Sequence, residues 1–277
     1  MGLRIATNIA SQNVQKNLKE VSSEGNAELE RLSSGKRITK ASDDAAGLAI
    51  STNLEAQTKG LRQATRNAND GISLVQTAEG GLNETSNILV RLRELTIQAA
   101  SDTVGETERG FLDKEYQQLT KEIDRISEST VFNGAQLLNG KGKGSMDFQV
   151  GAFAGDQNRI TFESDESDSS ASAIGVSGTE IGEKESALDA ISNIDEAITK
   201  VSGQRANLGS IQSRLQSTVK NLEVQTINQD SARSVIQDVD VAEASASLAS
   251  NQVVKNAAVA TLAQSNQIPM SALRLIG

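Results

Sequence analysis

The chain has no cysteine, no histidine and no tryptophan, and its 277 residues include one proline, one tyrosine and five phenylalanines. Each gap closes off chemistry. Without Cys or His there is no thiolate nucleophile, no imidazole base and no zinc site of the usual nitrogen and sulfur ligands, which removes most hydrolase and transition-metal mechanisms. Aromatics at 2% leave little to line a ligand cleft or stack on bases, and a formal net charge of −9 opposes a phosphate backbone. The expectation is a non-enzyme with no cofactor, no metal and no nucleic-acid partner. No run of 18 apolar residues occurs, so membrane insertion is not expected, and the opening M-G-L-R-I-A-T-N-I-A-S lacks the basic head and apolar core of a cleaved secretory signal. Ala6 also stands where myristoylation of Gly2 would need Ser or Thr. A chain without thiols suits a reducing cytosol or export in an unfolded state.

The negative charge is concentrated. From Thr161 to Asp189 there are eight acids against one base, Lys184, so this window carries −7 of the −9. With D-E-S-D-S-S-A-S inside it and no metal-ligand spacing, it reads as a solvated loop.

What the sequence does have is heptads. Leu54, Leu61, Ala68, Val75, Leu82 and Leu89 fall seven apart, with Ala64, Ile72, Ala78 and Leu92 near the companion position, and Ser42, Asp43 and Asp44 stand before them as cap and favourable charge. The pattern predicts one helix from about Ala45 to Ala100, on the order of 80 Å long. A second seam lies at Ala187, Ile194, Val201, Leu208, Leu215 and Leu222, and a shorter helix is spelled by Leu112, Tyr116, Leu119, Ile123 and Ile126. V-F-N-G-A-Q-L-L-N-G is turn chemistry, and M-D-F-Q-V with R-I-T-F-E forms a hairpin around G-A-F-A-G-D-Q-N. The fold class is mainly α: an elongated antiparallel helical bundle or coiled coil with paired N- and C-terminal helices and a small β excursion.

Both ends carry apolar faces with no partner nearby in sequence. Residues 3–32 contain Leu3, Ile5, Ile9, Val14, Leu18, Val21, Leu29 and Leu32, and residues 241–277 are Ala-rich and close on Ile268, Met270, Leu273, Leu275 and Ile276. Ends are ordinarily polar and frayed. Burying five large aliphatic side chains at the tip is worth roughly 10 kcal/mol at ~1.5–3 kcal/mol each, comparable with the ~4–15 kcal/mol cost of docking two bodies. The ends are therefore expected to pair with each other and with further copies of the chain, with Ile5, Ile9, Leu29, Leu32, Leu262, Ile268, Leu273, Leu275 and Ile276 as candidate assembly residues.

Several short patterns are coincidences. Ser33-Ser34-Gly35-Lys36 fits S-x-x-K but lacks the S-D-N and K-T-G companions of penicillin-binding enzymes, and Gly140–Gly144 lacks phosphate-loop spacing. Asp43-Asp44 reads as helix capping over an acid–base pair, and the sequon Asn83-Glu84-Thr85 falls inside a heptad helix.

E-R-L-S-S-G-K-R-I at 30–38, A-S-D-D-A-A-G-L-A-I at 41–50, N-D-G-I-S-L-V-Q-T-A-E-G at 69–80, V-R-L-R-E-L at 90–95, F-N-G-A-Q-L-L at 132–138, F-Q-V-G-A at 148–152 and L-A-Q-S-N-Q-I-P at 262–269 together resemble bacterial flagellins, in order and over nearly the whole chain. The resemblance implies an extracellular filament subunit exported through the flagellar type III channel. It implies an inner-tube terminal domain of residues 1–44 plus 237–277 and an outer rod of 45–236. The acidic stretch at about 165–185 stands where many flagellins insert outer domains, so this is a short form. Implied partners are other copies of the chain, the export chaperone, the filament cap and the hook-junction proteins. The family's surface for the vertebrate Toll-like flagellin receptor falls on Arg91, Leu95 and Glu115, with Val90 where Gln is usual. A hook-filament junction protein of the same family is the near alternative, and a signalling coiled coil the alternative of another class.

Overall fold

A computed structural model describes residues 7–141 and 144–276, with side chains as far as residue 267. Six helices and two small hairpins follow one another: α1 (Ile9–Ser34), α2 (Ala45–Ala99), α3 (Glu106–Ser129), β1 (Val131–Phe132), β2 (Ala135–Gln136), β3 (Ser145–Gln149), β4 (Arg159–Glu163), α4 (Ala171–Ile174), α5 (Lys184–Gln237) and α6 (Val241–Ile276). The chain divides into two compact units, residues 1–56 with 228–277 and residues 57–227. The boundaries fall inside α2 and α5, whereas the resemblance implies 44/45 and 236/237.

The unit of residues 57–227 is built on the expected seams, with one large buried cluster and a smaller one of Leu61, Ala64 and Leu222. Ala68, Val75, Leu82 and Leu89 from α2, Tyr116 and Ile123 from α3, and Ala187, Ile194, Val201, Leu208 and Leu215 from α5 are buried in one cluster. Seven-residue spacing keeps one stripe of each helix turned toward its neighbours, which is why these positions and not the charged ones between them lie inside. Arg109 closes the end of α2, its guanidinium donating to the carbonyls of Ala99 (2.8 Å) and Ser101 (3.0 Å). The Ala99 carbonyl is one that a helix end leaves without a partner.

The β excursion sits on glycines of α2. A Cβ at Gly71 would lie 3.1 Å from the Phe148 ring, and one at Gly81 would lie 2.6 Å from Leu138 and 2.7 Å from Thr130, so the missing side chains let the β layer approach the helix. The β3–β4 pair is antiparallel in the register Met146 with Phe162 and Phe148 with Ile160, which turns Phe162 and Ile160 into the core. F-N-G is itself a hairpin: Phe132 pairs with Ala135, and Asn133 and Gly134 have φ of 48° and 78°, the left-handed pair a two-residue turn requires.

The acidic window corrects the expectation of a solvated loop. Residues 164–181 form a strap whose Ser164, Ser167, Ser169, Ala171, Ile174, Val176 and Ile181 are buried. Asp124 accepts a hydrogen bond from the Ala171 amide (2.8 Å), Asp113 accepts one from the Ile181 amide (2.9 Å), and the Tyr116 hydroxyl meets Thr179 at 2.6 Å. Glu163, Asp165, Glu166 and Glu180 face solvent. The charge is real but one-sided: small and apolar residues alternate with the acids, and composition alone averages the two faces.

Candidate assembly and recognition surfaces

In the unit of residues 1–56 and 228–277, α1 and α6 run antiparallel. Asn8 caps α1, accepting from the Ser11 amide (3.1 Å), and its side-chain NH2 donates to the Ser265 carbonyl (3.0 Å), while the Ser11 hydroxyl donates to Asn266 (2.9 Å). At the opposite end of the pair Gly35 ends α1 with φ of 70°, the Val239 amide donates to its carbonyl (3.1 Å), and the Arg37 amide donates to the Gln237 carbonyl (2.6 Å). Polar contacts at both ends hold the axial register of the two helices, a role that buried polar groups perform in coiled coils.

Between these ends the seam is thin. The residues of α6 turned toward α1 are Ala244, Asn251, Ala258 and Ser265, seven apart, with half-buried Leu248 and Leu262; α1 answers with half-buried Val14, Leu18, Val21 and Leu32. Other large side chains point outward. Val253 is 68% exposed, Val241 62%, Leu29 57%, Ile9 52% and Val259 51%. A groove of about 440 Å³ runs along the pair, lined by Val21, Gly25, Leu29, Leu248 and Lys255 among others. Of the candidate assembly residues, Ile9 and Leu29 are thus exposed, Leu32 and Leu262 half-buried in the seam, and Ile5, Ile268, Leu273, Leu275 and Ile276 lie outside the residues whose side chains are described. The exposed valines of α6 were missed from sequence because an Ala-rich helix offers no single apolar stripe. Their signal is phase: they fall between the small residues of the seven-residue repeat.

The loop joining α1 to α2 is fastened by two aspartates. Asp43 accepts from the amides of Thr39 and Lys40 and from the Thr39 hydroxyl, each at 3.0 Å. Those backbone donors, Lys40 first, hold its carboxyl below the ordinary aspartate range. Asp44 caps α2 by accepting from the Gly47 amide at 2.9 Å, and Ile38 is buried beneath the loop.

On α2 and α3 the structure brings two of the three expected recognition residues together. Arg91 donates from Nε (3.1 Å) and Nη2 (2.9 Å) to Glu115 and from Nη1 (3.0 Å) to Glu94, all of them about half exposed. These acceptors, Glu115 foremost, hold its pKa above the ordinary arginine value. Leu95 does not join them. It is 1% exposed and belongs to the core, which corrects its expected place on the surface. Four residues advance a helix by a full turn and about 40°, enough to carry the chain from the edge of the exposed stripe to the seam. Exposed apolar residues nearby in sequence are Val90 and Ile97, seven apart on α2, and Phe111, one turn before Glu115 on α3.

Among the described residues no group of three or more Asp or Glu side chains is arranged to hold a metal ion, and no helix is long and apolar enough to cross a membrane. The chain matches the family models of the bacterial flagellin N-terminal helical region over residues 5–143 and the bacterial flagellin C-terminal helical region over residues 191–276. It is 41% identical to a flagellin of Halalkalibacterium halodurans, over 97% of this chain and 98% of that one. It is 38% identical to a flagellar filament core protein of Brachyspira hyodysenteriae over 98% and 99% respectively. A crystal structure of Bacillus cereus flagellin aligns with a TM-score of 0.51 at 32% identity, covering 57% of this chain and 88% of that chain.

Proposed function

The chain belongs to the bacterial flagellin family and is a structural subunit of the flagellar filament, and from that premise we propose that its paired terminal helices are the half-built element that other copies complete. One observation carries this reading: α1 and α6 bury small and polar residues against each other and leave Ile9, Leu29, Val241, Val253 and Val259 outside. Two helices cannot enclose a core, and a face of this kind is stabilised only when further helices cover it. Repetition along a polymer then turns a modest burial per contact into a stable tube. In the filament, residues 1–44 with 237–277 supply the inner layer and residues 45–236 the outer one. The subunit reaches the extracellular filament through the flagellar type III channel, with the export chaperone, filament cap and hook-junction proteins as its partners on the way.

Removing residues 268–277 tests the reading. Electron microscopy should show no filaments under conditions in which the full chain polymerises, while circular dichroism retains most of the helical signal. Normal filaments from the shortened chain would refute it.

A second role rests on the Arg91–Glu115 pair, an exposed, preformed charged site spanning two helices. It is the place where the vertebrate Toll-like flagellin receptor would bind, with Leu95 supporting the helix from below and contributing no surface of its own. Monomer carrying Arg91→Ala should lose potency in a receptor reporter assay by tenfold or more, on the order of the 1.4 kcal/mol or greater that an interface arginine commonly contributes. Equal potency would remove the site from consideration.

A further inference from the structure

Asn-Gly occurs twice in this chain, six residues apart, and the two copies stand in opposite environments. Asn133 is exposed at the tip of the β1–β2 hairpin and, among the described residues, is the one non-glycine with positive φ. Strands β1 and β2 hold two residues each, so the turn can open without disturbing the core. Gly134 is exposed as well and has open space on the side where a Cβ would stand. Asn139 is 8% exposed and held at both ends of its side chain, Nδ2 donating to Gln136 (2.6 Å) and Oδ1 accepting from the Lys141 amide (3.1 Å).

We infer that Asn133 is a site of spontaneous, enzyme-free modification that proceeds in the folded protein, and that Asn139 is protected from the same reaction by its fold. The backbone nitrogen of Gly134 gives its proton to solvent base and attacks Cγ of Asn133. The bond from Cγ to the side-chain nitrogen breaks, and that nitrogen takes a proton and leaves as ammonia. The resulting five-membered succinimide adds one water at either carbonyl and opens to aspartate or to isoaspartate. One water enters and one ammonia departs, with no change of oxidation state. Glycine favours the step because no side chain blocks the approach of its nitrogen. Either product places a new carboxylate at the hairpin tip. Isoaspartate also lengthens the main chain by one methylene, between Phe132 and the Leu137 amide that donates to Thr130 (3.1 Å). A subunit that stays in a polymer without replacement therefore accumulates negative charge at a fixed position with age.

Hydroxylamine, which cleaves Asn-Gly bonds through the succinimide, reads this directly on the full chain. Folded protein should yield fragments 1–133 and 134–277, with cleavage after Asn133 at least about tenfold faster than after Asn139, the difference reporting local opening. In guanidinium chloride the two rates should converge. Peptide mass spectrometry of aged protein should find aspartate and isoaspartate at 133 with asparagine intact at 139, and Asn133→Gln should abolish cleavage in the folded chain. A ratio below about tenfold in the folded state, or cleavage confined to the unfolded chain, would overturn the inference.

Discussion

The two units of the chain bury different kinds of residue. Residues 57–227 enclose Leu82, Leu89, Leu92, Tyr116, Ile123, Phe162, Ile194 and others with essentially no exposure, in three helices, a β layer and a strap that together leave no large side chain of the seams uncovered. In residues 1–56 and 228–277 the fully buried apolar residues, among those described, are Ile38 and Ala244. Both units contain helices of coiled-coil pattern, and the difference lies in how many partners each helix finds within its own chain. Apolar pattern dictates that a face will be covered. The number of neighbours available decides whether the same molecule covers it.

The strongest way to break this contrast is to delete equivalent side chains from each unit. Leu89→Ala removes a fully buried residue and should lower the stability of the soluble monomer by about 2–5 kcal/mol in chemical denaturation. Leu29→Ala, at a position 57% exposed, should change it by no more than about 0.5 kcal/mol, yet should raise the concentration needed for polymerisation. Equal stability losses would show that the terminal pair is already a finished core.

A smaller effect sharpens the account of the central unit. Gly80 and Gly81 are neighbours on α2, but a Cβ at Gly80 meets nothing within 4 Å, whereas one at Gly81 meets buried Leu138 at 2.6 Å and Thr130 at 2.7 Å. Thr130 cannot easily yield, since its hydroxyl donates to the Ile126 carbonyl at 2.7 Å. Gly80→Ala should stabilise by about 0.5–1 kcal/mol through helix propensity. Gly81→Ala should destabilise by a net amount on the order of 1 kcal/mol, because overpacking of about 1–3 kcal/mol exceeds the same gain. Opposite signs at adjacent glycines, measured by thermal or chemical denaturation, are the check.

The smallest effect is electrostatic and local to the terminal unit. The carboxyl of Asp43 titrates below its unfolded value because three donors favour its charged form. Its contribution is therefore fully present above the unfolded aspartate range and is lost as pH falls through the depressed folded value. Amide exchange at Thr39 and Lys40, corrected for intrinsic pH dependence, should accelerate over that acid window in the native chain and be fast and flat in Asp43→Asn. The same acidification should leave undisturbed the hydrogen bonds that Arg109 donates to the Ala99 and Ser101 carbonyls.

Much of this architecture is legible in the chain itself. The seams at Leu54 to Leu89 and Ala187 to Leu222 announce their helices because a strict seven-residue repeat has no other economical structure, and Asp44 marks the start of α2 because only a cap needs that oxygen there. The acidic strap escaped because charge density masks an alternating buried face. Leu95 was misplaced because sharing a helix face with Arg91 is a statement about proximity, and an edge position and a seam position differ by a small rotation. The register contacts of Asn8 and Ser11 with Ser265 and Asn266 join residues more than 250 positions apart, and nothing in either segment names the other.

Hydrogen–deuterium exchange on monomer and on filament, followed by peptide mass spectrometry, tests most directly whether the terminal pair is completed by other copies. Peptides from α1 and from residues 241–267 should exchange rapidly in monomer and become protected in filament, while peptides from α2 beyond residue 57, α3 and α5 up to residue 227 stay protected in both. Terminal helices as well protected in dilute monomer as the central bundle would contradict the account.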